Sequence, residues 1–176
     1  DGHFVRTKGG VSKNRIMNDP AFVRTRENGM EFGSIATSGK LLRNSLGTLV
    51  FRAKDSKLTS RLVKVMGQIK NLDSVSARGE RNVATGLSDA SAKLLLKGFD
   101  FNARATLGSV LNTSYSVDTG TGEVPLSSFN PMEQLRAAEG ATHFSLQVGY
   151  LNLNFETGES DLTLSPESVF PLVQGV

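Results

Sequence analysis

Phe32, Ile35, Gly39, Leu42, Leu46 and Leu49 recur at alternating steps of three and four residues, one stripe along an α-helix. Gly39 and Gly47 are poor helix formers, and inside such a stripe they mark close approach of another backbone. Lys54-Asp55-Ser56 breaks the pattern and supplies a cap. Leu58, Leu62, Val65, Ile69 and Leu72 then repeat the same spacing. Two matched stripes with a short connection predict an αα-hairpin. Ahead of it, Asn18-Asp19-Pro20 is a helix-start signal for a short helix ending near Asn28-Gly29. Residues 3–7 predict a short strand up to the Gly9-Gly10 turn. Ser76 to Asn82 reads as a loop or a new helix start, and a helical piece is expected over Ser88–Lys97, ended by Gly98.

Beyond about residue 99 the period falls to two. Leu107, Ser109, Leu111, Thr113, Tyr115 and Val117 alternate with Gly108, Val110, Asn112, Ser114 and Ser116, which predicts a half-buried strand. Asp118 to Glu123 is turn chemistry, with Val124–Leu126 returning as a hairpin. Asn130-Pro131 opens a loop and a helical turn near Met132–Ala138. Phe144, Leu146, Val148 and Tyr150 share one face of a strand, while Leu151, Leu153 and Phe155 continue on odd positions. A slip of one residue in phase means a bulge, a bend or a turn near Gly149-Tyr150. Glu156 to Ser160 turns the chain into Asp161–Leu164. Helices first and strands second give an α+β fold: an N-terminal helical hairpin followed by a C-terminal antiparallel β-sheet, sandwich-like. Residues 1–104 form the basic, mainly helical part and 105–176 the acidic, mainly β part of one compact unit.

That division is sharpest in the charge. Nineteen of the 20 Lys and Arg residues lie within positions 1–104, and Arg136 is the one base beyond them. The first part is net about +10 and the second about −7, which the overall +3 conceals. At 176 residues the chain suits one domain or two small ones sharing a core. Its longest apolar runs span only a few residues, against ~20 for a bilayer span, so no transmembrane helix is expected. Absence of Cys excludes disulfides and thiol chemistry, and fits any compartment, including an oxidising exterior. Asp1 in place of Met implies a segment upstream, which would hold the hairpin partner of the strand at 3–7.

The candidate chemistry is thin. Gly33 to Lys40 resembles a phosphate-binding loop, but five residues separate its glycines where four are needed. Leu41 also stands where Ser or Thr must hold Mg²⁺. His3 and His143 lack partners at ligand spacing, which favours structural or solvated roles. Asp118, Glu123, Glu156, Glu159 and Asp161 gather in two turns without the spacing of a calcium loop. No catalytic, cofactor or metal site is assigned. The faces opposite the apolar stripes carry Lys40, Arg43, Arg52, Lys54, Lys57, Arg61, Lys64 and Lys70. Lys40, Arg43, Lys57, Arg61 and Lys64 are the candidate site, contacting either the acidic part of a neighbouring copy or the phosphates of a nucleic acid.

Several runs carry a resemblance. Arg6 to Val11, Asn18-Asp19-Pro20-Ala21-Phe22, Arg24 to Asn28 and Glu31-Phe32-Gly33 resemble a group of small proteins encoded in Bacteroidota. Gly39 to Arg43, Gly98 to Asn102 and Gly140 to Phe144 are similar to the same group. Members begin with some twenty further residues rich in Gly and strand formers, and the resemblance transfers no activity and no functional residue. The function expected from the residues is a non-enzymatic structural subunit, bacterial, without cofactors, whose partners are copies of itself. It would self-assemble into a filament, tube or virion-like particle, in an extracellular or virion setting. The alternative is a nucleic-acid-binding protein using the basic helical face; a weaker third is an enzyme or sugar-binding module in the C-terminal sheet.

Overall fold

A computed structural model describes residues 9–126 and 128–172, so the strand expected at 3–7 lies outside the described residues. Helices come first: α1 (Lys13–Asn18), a 3₁₀ turn (Pro20–Phe22), α2 (Val23–Leu46), α3 (Thr48–Ala53) and α4 (Leu58–Lys70). Asp19 caps the 3₁₀ turn by accepting from the Ala21 amide, with Pro20 at its first position. The helix does not stop at Asn28-Gly29. It runs on to Leu46, because Glu31, one turn past the Asn-Gly pair, is fixed by buried ion pairs that require helix there. The break falls instead at Gly47, with φ 51° and ψ −119°, and α3 follows at once.

α2 and α4 pack as the expected hairpin: Gly39 faces Leu62 and Gly67 faces Ile35. Leu62, Met66, Ile69, Val83 and Ala92 form the buried core, with Ile35, Leu42 and Phe155 packed against it. The buried face of α2 is set by Glu31, Ser38 and Gly39, not by Phe32, which is 62% exposed. After a loop at 71–82 come α5 (Val83–Gly86) and α6 (Ala92–Leu96), the latter followed by Gly98 at positive φ as expected. α5 lies so close to α4 that a Cβ on Gly86 would collide with the Ile69 carbonyl.

Residues 107–117 do not form the predicted strand. Leu107–Val110 is a single helical turn, α7, followed by isolated bridges Leu111↔Leu135 and Tyr115↔Leu126. Leu107, Leu111 and Tyr115 are four residues apart, so a helical turn satisfies the alternation too, and the Asp100 carboxylate accepts from the Leu107 amide at 2.9 Å to start it. α8 (Pro131–Gln134) is capped by Asn130.

The C-terminal antiparallel sheet comprises four strands in two pairs. β1 (His143–Leu146) pairs with β4 (Ser168–Pro171), and β2 (Gly149–Leu153) with β3 (Ser160–Leu164). The expected sandwich-like sheet is thus laid out as one long two-stranded ribbon, turned at Asn154–Glu159. Between the pairs, Gln147 and Val148 stand opposite Ser165, Pro166 and Glu167, so the register steps by one residue. This bulge lies where the outgoing strand changes phase. Successive strand residues point to opposite faces. Gly149 therefore approaches Leu49 and Phe155 joins the helical core on one face, while Phe144 and Leu146 turn to the other.

Candidate functional site

The basic residues separate into two populations. Lys40, Lys57 and Lys64 are exposed and in no ion pair among the described residues. Arg61 does not belong to an open face. Its guanidinium donates to Asp55 at 2.7 Å and to the carbonyls of Asp100 and Phe101 at 2.6 and 3.2 Å, and it lies over the Phe99 ring. Asp55 also accepts from the Ala103 and Lys57 amides, and the Ala103 amide leads in holding its pKa below the ordinary value. Arg61 thus ties the segment after α6 to the start of α4. Arg43 is half-buried, with Nη1 enclosed and without a hydrogen-bond partner among the described residues. Arg52 pairs with Glu167 at 3.3 Å.

Lys70, read from the sequence as part of the basic face, is buried. Its ammonium donates to Glu31 at 2.5 Å, and Arg81 grips the same carboxylate through Nε and Nη2 at 2.8 and 2.9 Å. The Gly79 amide adds a fourth bond at 2.9 Å. The Arg81 guanidinium foremost, then Lys70 and the Gly79 amide, outweigh the cost of burial and hold the Glu31 pKa at about 2. Nearby, burial opposes ionisation of Asp73. The amides of Ser76, Asn82 and Val75 overcome it, so its pKa also lies below the ordinary value. Together these carboxylates pin the 71–82 loop on the helical hairpin. Glu31 stands one turn before Ile35, in phase with the buried face; a charge inside an apolar stripe is the sequence signal that could have revealed this clamp.

The acidic part is built differently. Leu111 is its one buried hydrophobic residue among those described. Phe144 stacks on Phe170 at 5.1 Å between centroids, and Phe129 meets Phe144 edge-on at 5.8 Å. Beneath β1 and β4 a groove of about 320 Å³ opens, lined by Leu107, Leu111, Tyr115, Leu126, Val148 and Phe170 among others. The turn at Asp118–Glu123 forms as expected, its end closed by the Asp118 amide on the Glu123 carbonyl. Glu167 is the one carboxylate of positions 105–176 in an ion pair among the described residues; Asp118, Glu123, Glu156, Glu159 and Asp161 are in none. Among the described residues no group of His, Asp or Glu gathers as a metal site, and no helix is long and apolar enough to cross a membrane. His143 is exposed beside the Thr142 hydroxyl.

The accessible surface is 12915 Å² for 18.9 kDa, against about 8,300 Å² for a compact monomer of that mass. Full extension of the thirteen residues outside the description would supply at most about 2,000 Å² of the excess. The remaining difference of about 2,600 Å² exceeds the roughly 800 Å² that one partner contributes to a standard interface. Comparison of the chain with protein-family models, with curated proteins and with solved structures returns no match.

Proposed function

We propose that this protein is a non-enzymatic structural subunit that assembles with copies of itself into a filament, tube or virion-like particle. The observation that carries the reading is the surplus surface, together with a C-terminal part whose one buried hydrophobic residue among those described is Leu111. Two-stranded ribbons are marginal in water unless packed on something, and this one leaves Val169, Tyr150 and Phe170 exposed. The charge polarity supports the same reading, since nearly all C-terminal carboxylates and many N-terminal bases are in no ion pair among the described residues. A contact joining the acidic part of one copy to the basic part of the next is heterologous, and repeats into rings or open polymers.

The test is particle size by light scattering after size exclusion, at low and high salt, with negative-stain images of the same fractions. Ordered polymers free of nucleic acid are expected. A monodisperse monomer at both salt concentrations overturns the reading. A second reading rests on Lys40, Lys57 and Lys64, which are exposed and unpaired among the described residues. A nucleic-acid-binding role would give retention on DNA or RNA that falls steeply with salt. Withdrawal of Arg61 and Lys70 into internal pairs weakens it.

A further inference from the structure

Protein interiors are packed as densely as organic crystals, so an apolar gap of 320 Å³ beneath β1 and β4 is not a finished core. Leu107, Tyr115 and Phe170 remain 49%, 49% and 42% exposed at its mouth. The surface that fills such a groove must be apolar, and its surroundings should oppose the charge at the rim. The acidic turn Asp118–Glu123 lies beside it, since Thr119 to Gly122 face Val148 and Ser165, which also line the groove. Glu123 immediately precedes Val124, which lines the groove, and Asp118 is bonded to it across the turn.

The same chain carries a matching projection. Phe51 on α3 is 74% exposed, the most exposed aromatic side chain among the described residues. The Lys54 ammonium lies 5.0 Å from its ring centroid, and Lys57 follows three residues later. Neither lysine is in an ion pair among the described residues. An aromatic side chain beside two cations and an apolar groove beside an acidic turn are complementary in polarity and in sign. The surplus surface is more than one such contact requires.

We infer that Phe51 of one copy seats in the groove between Leu107, Tyr115 and Phe170 of a second copy, with Lys54 and Lys57 facing Asp118 and Glu123. This rests on the self-assembly reading and names its interface. Phe51 is exposed on a surface helix, so its removal leaves the fold of the subunit intact.

The absence of native cysteine makes the contact directly testable. Full-length single-site variants Phe51→Cys and Leu107→Cys are mixed and oxidised. A disulfide-linked dimer joining positions 51 and 107 is expected from the mixture and not from either variant alone. In parallel, sedimentation velocity should show Phe51→Ala weakening self-association roughly 10- to 100-fold. Lys54→Glu and Glu123→Lys should each weaken it, and the double variant should recover part of the loss. If the wild-type chain assembles while Phe51→Ala assembles equally well and no 51–107 link forms, this interface is wrong and the assembly reading stands. If the wild-type chain stays monomeric at every concentration, both fall.

Discussion

The helical part and the ribbon part of this molecule solve the problem of stability in opposite ways. Between them, α2, α4, α5 and α6 enclose Leu62, Met66, Ile69, Val83 and Ala92 completely, and lock the edge of that core with a fully bonded carboxylate. The ribbon borrows. Its tip half leans on the helices through Gly149 and Phe155, and its base half covers an unfilled groove. A chain built this way can be stable while leaving a large part of its apolar surface in solvent.

That contrast can be broken most violently at Glu31. Glu31→Gln leaves Lys70 and Arg81 facing a neutral amide, and should cost about 3–5 kcal/mol of unfolding free energy, read from a urea titration followed by helical circular dichroism. Gly86→Ala comes next. The added methyl meets the Ile69 carbonyl, and backbone must shift; a loss of about 1–3 kcal/mol by the same titration is expected. Phe170→Ala sits at the other end of the scale. It removes one stacked ring from a half-exposed position, so the free subunit should lose only about 1 kcal/mol, while any assembled form loses far more. Equal losses at Glu31 and Phe170 in the free subunit would erase the distinction between the two parts.

Acid sharpens the contrast. Glu31 has its pKa lowered from 4.5 to about 2. A carboxylate depressed in the folded state stabilises fully above its unfolded pKa and loses that contribution as pH falls through the folded one. The urea midpoint of the wild-type helical part should therefore decline as pH drops from about 4.5 to about 2, and decline less in Glu31→Gln. Asp55 and Asp73 shift in the same direction, so some dependence survives in the variant. Amide hydrogen exchange gives the smallest and most local signal. Amides of α4 should exchange only through global unfolding, and those of β1 and β4 through cheaper local opening that slows on assembly.

How much of this was legible in the residues depended on how many patterns each segment satisfies. The α4 stripe fits a helix and nothing else, and it formed as read up to Ile69, with Leu72 falling past the helix end and Met66, at the centre of the core, not a member of it. Leu107, Leu111 and Tyr115 fit both a strand and a helical turn, and tertiary contacts with Asp100 chose the turn. The Asn28-Gly29 stop was overridden by ion pairs forty to fifty residues away in sequence, which no local pattern encodes. Of the five basic residues singled out, Lys40, Lys57 and Lys64 are presented to solvent, Arg43 is half-enclosed and Arg61 is structural. The groove was invisible in the sequence because its lining comes from four separated stretches of chain.

The bulge opposite Gln147-Val148 has a consequence best put in terms of parity. On the outgoing strand, apolar residues change from even positions (Phe144, Leu146) to odd ones (Leu151, Leu153, Phe155). On the returning strand Leu162, Leu164 and Phe170 are all even. The extra residue among Ser165, Pro166 and Glu167 supplies in space the change that the returning sequence lacks. Removing one of those three would leave a regular ladder with both apolar faces where they are. Adding one between Leu146 and Gly149 would also give a regular ladder, but with Phe144, Leu146, Leu151, Leu153, Leu162, Leu164 and Phe170 all on a single side. The evolutionary freedom of this ribbon is therefore lopsided: it tolerates a codon lost on one strand and not a codon gained on the other.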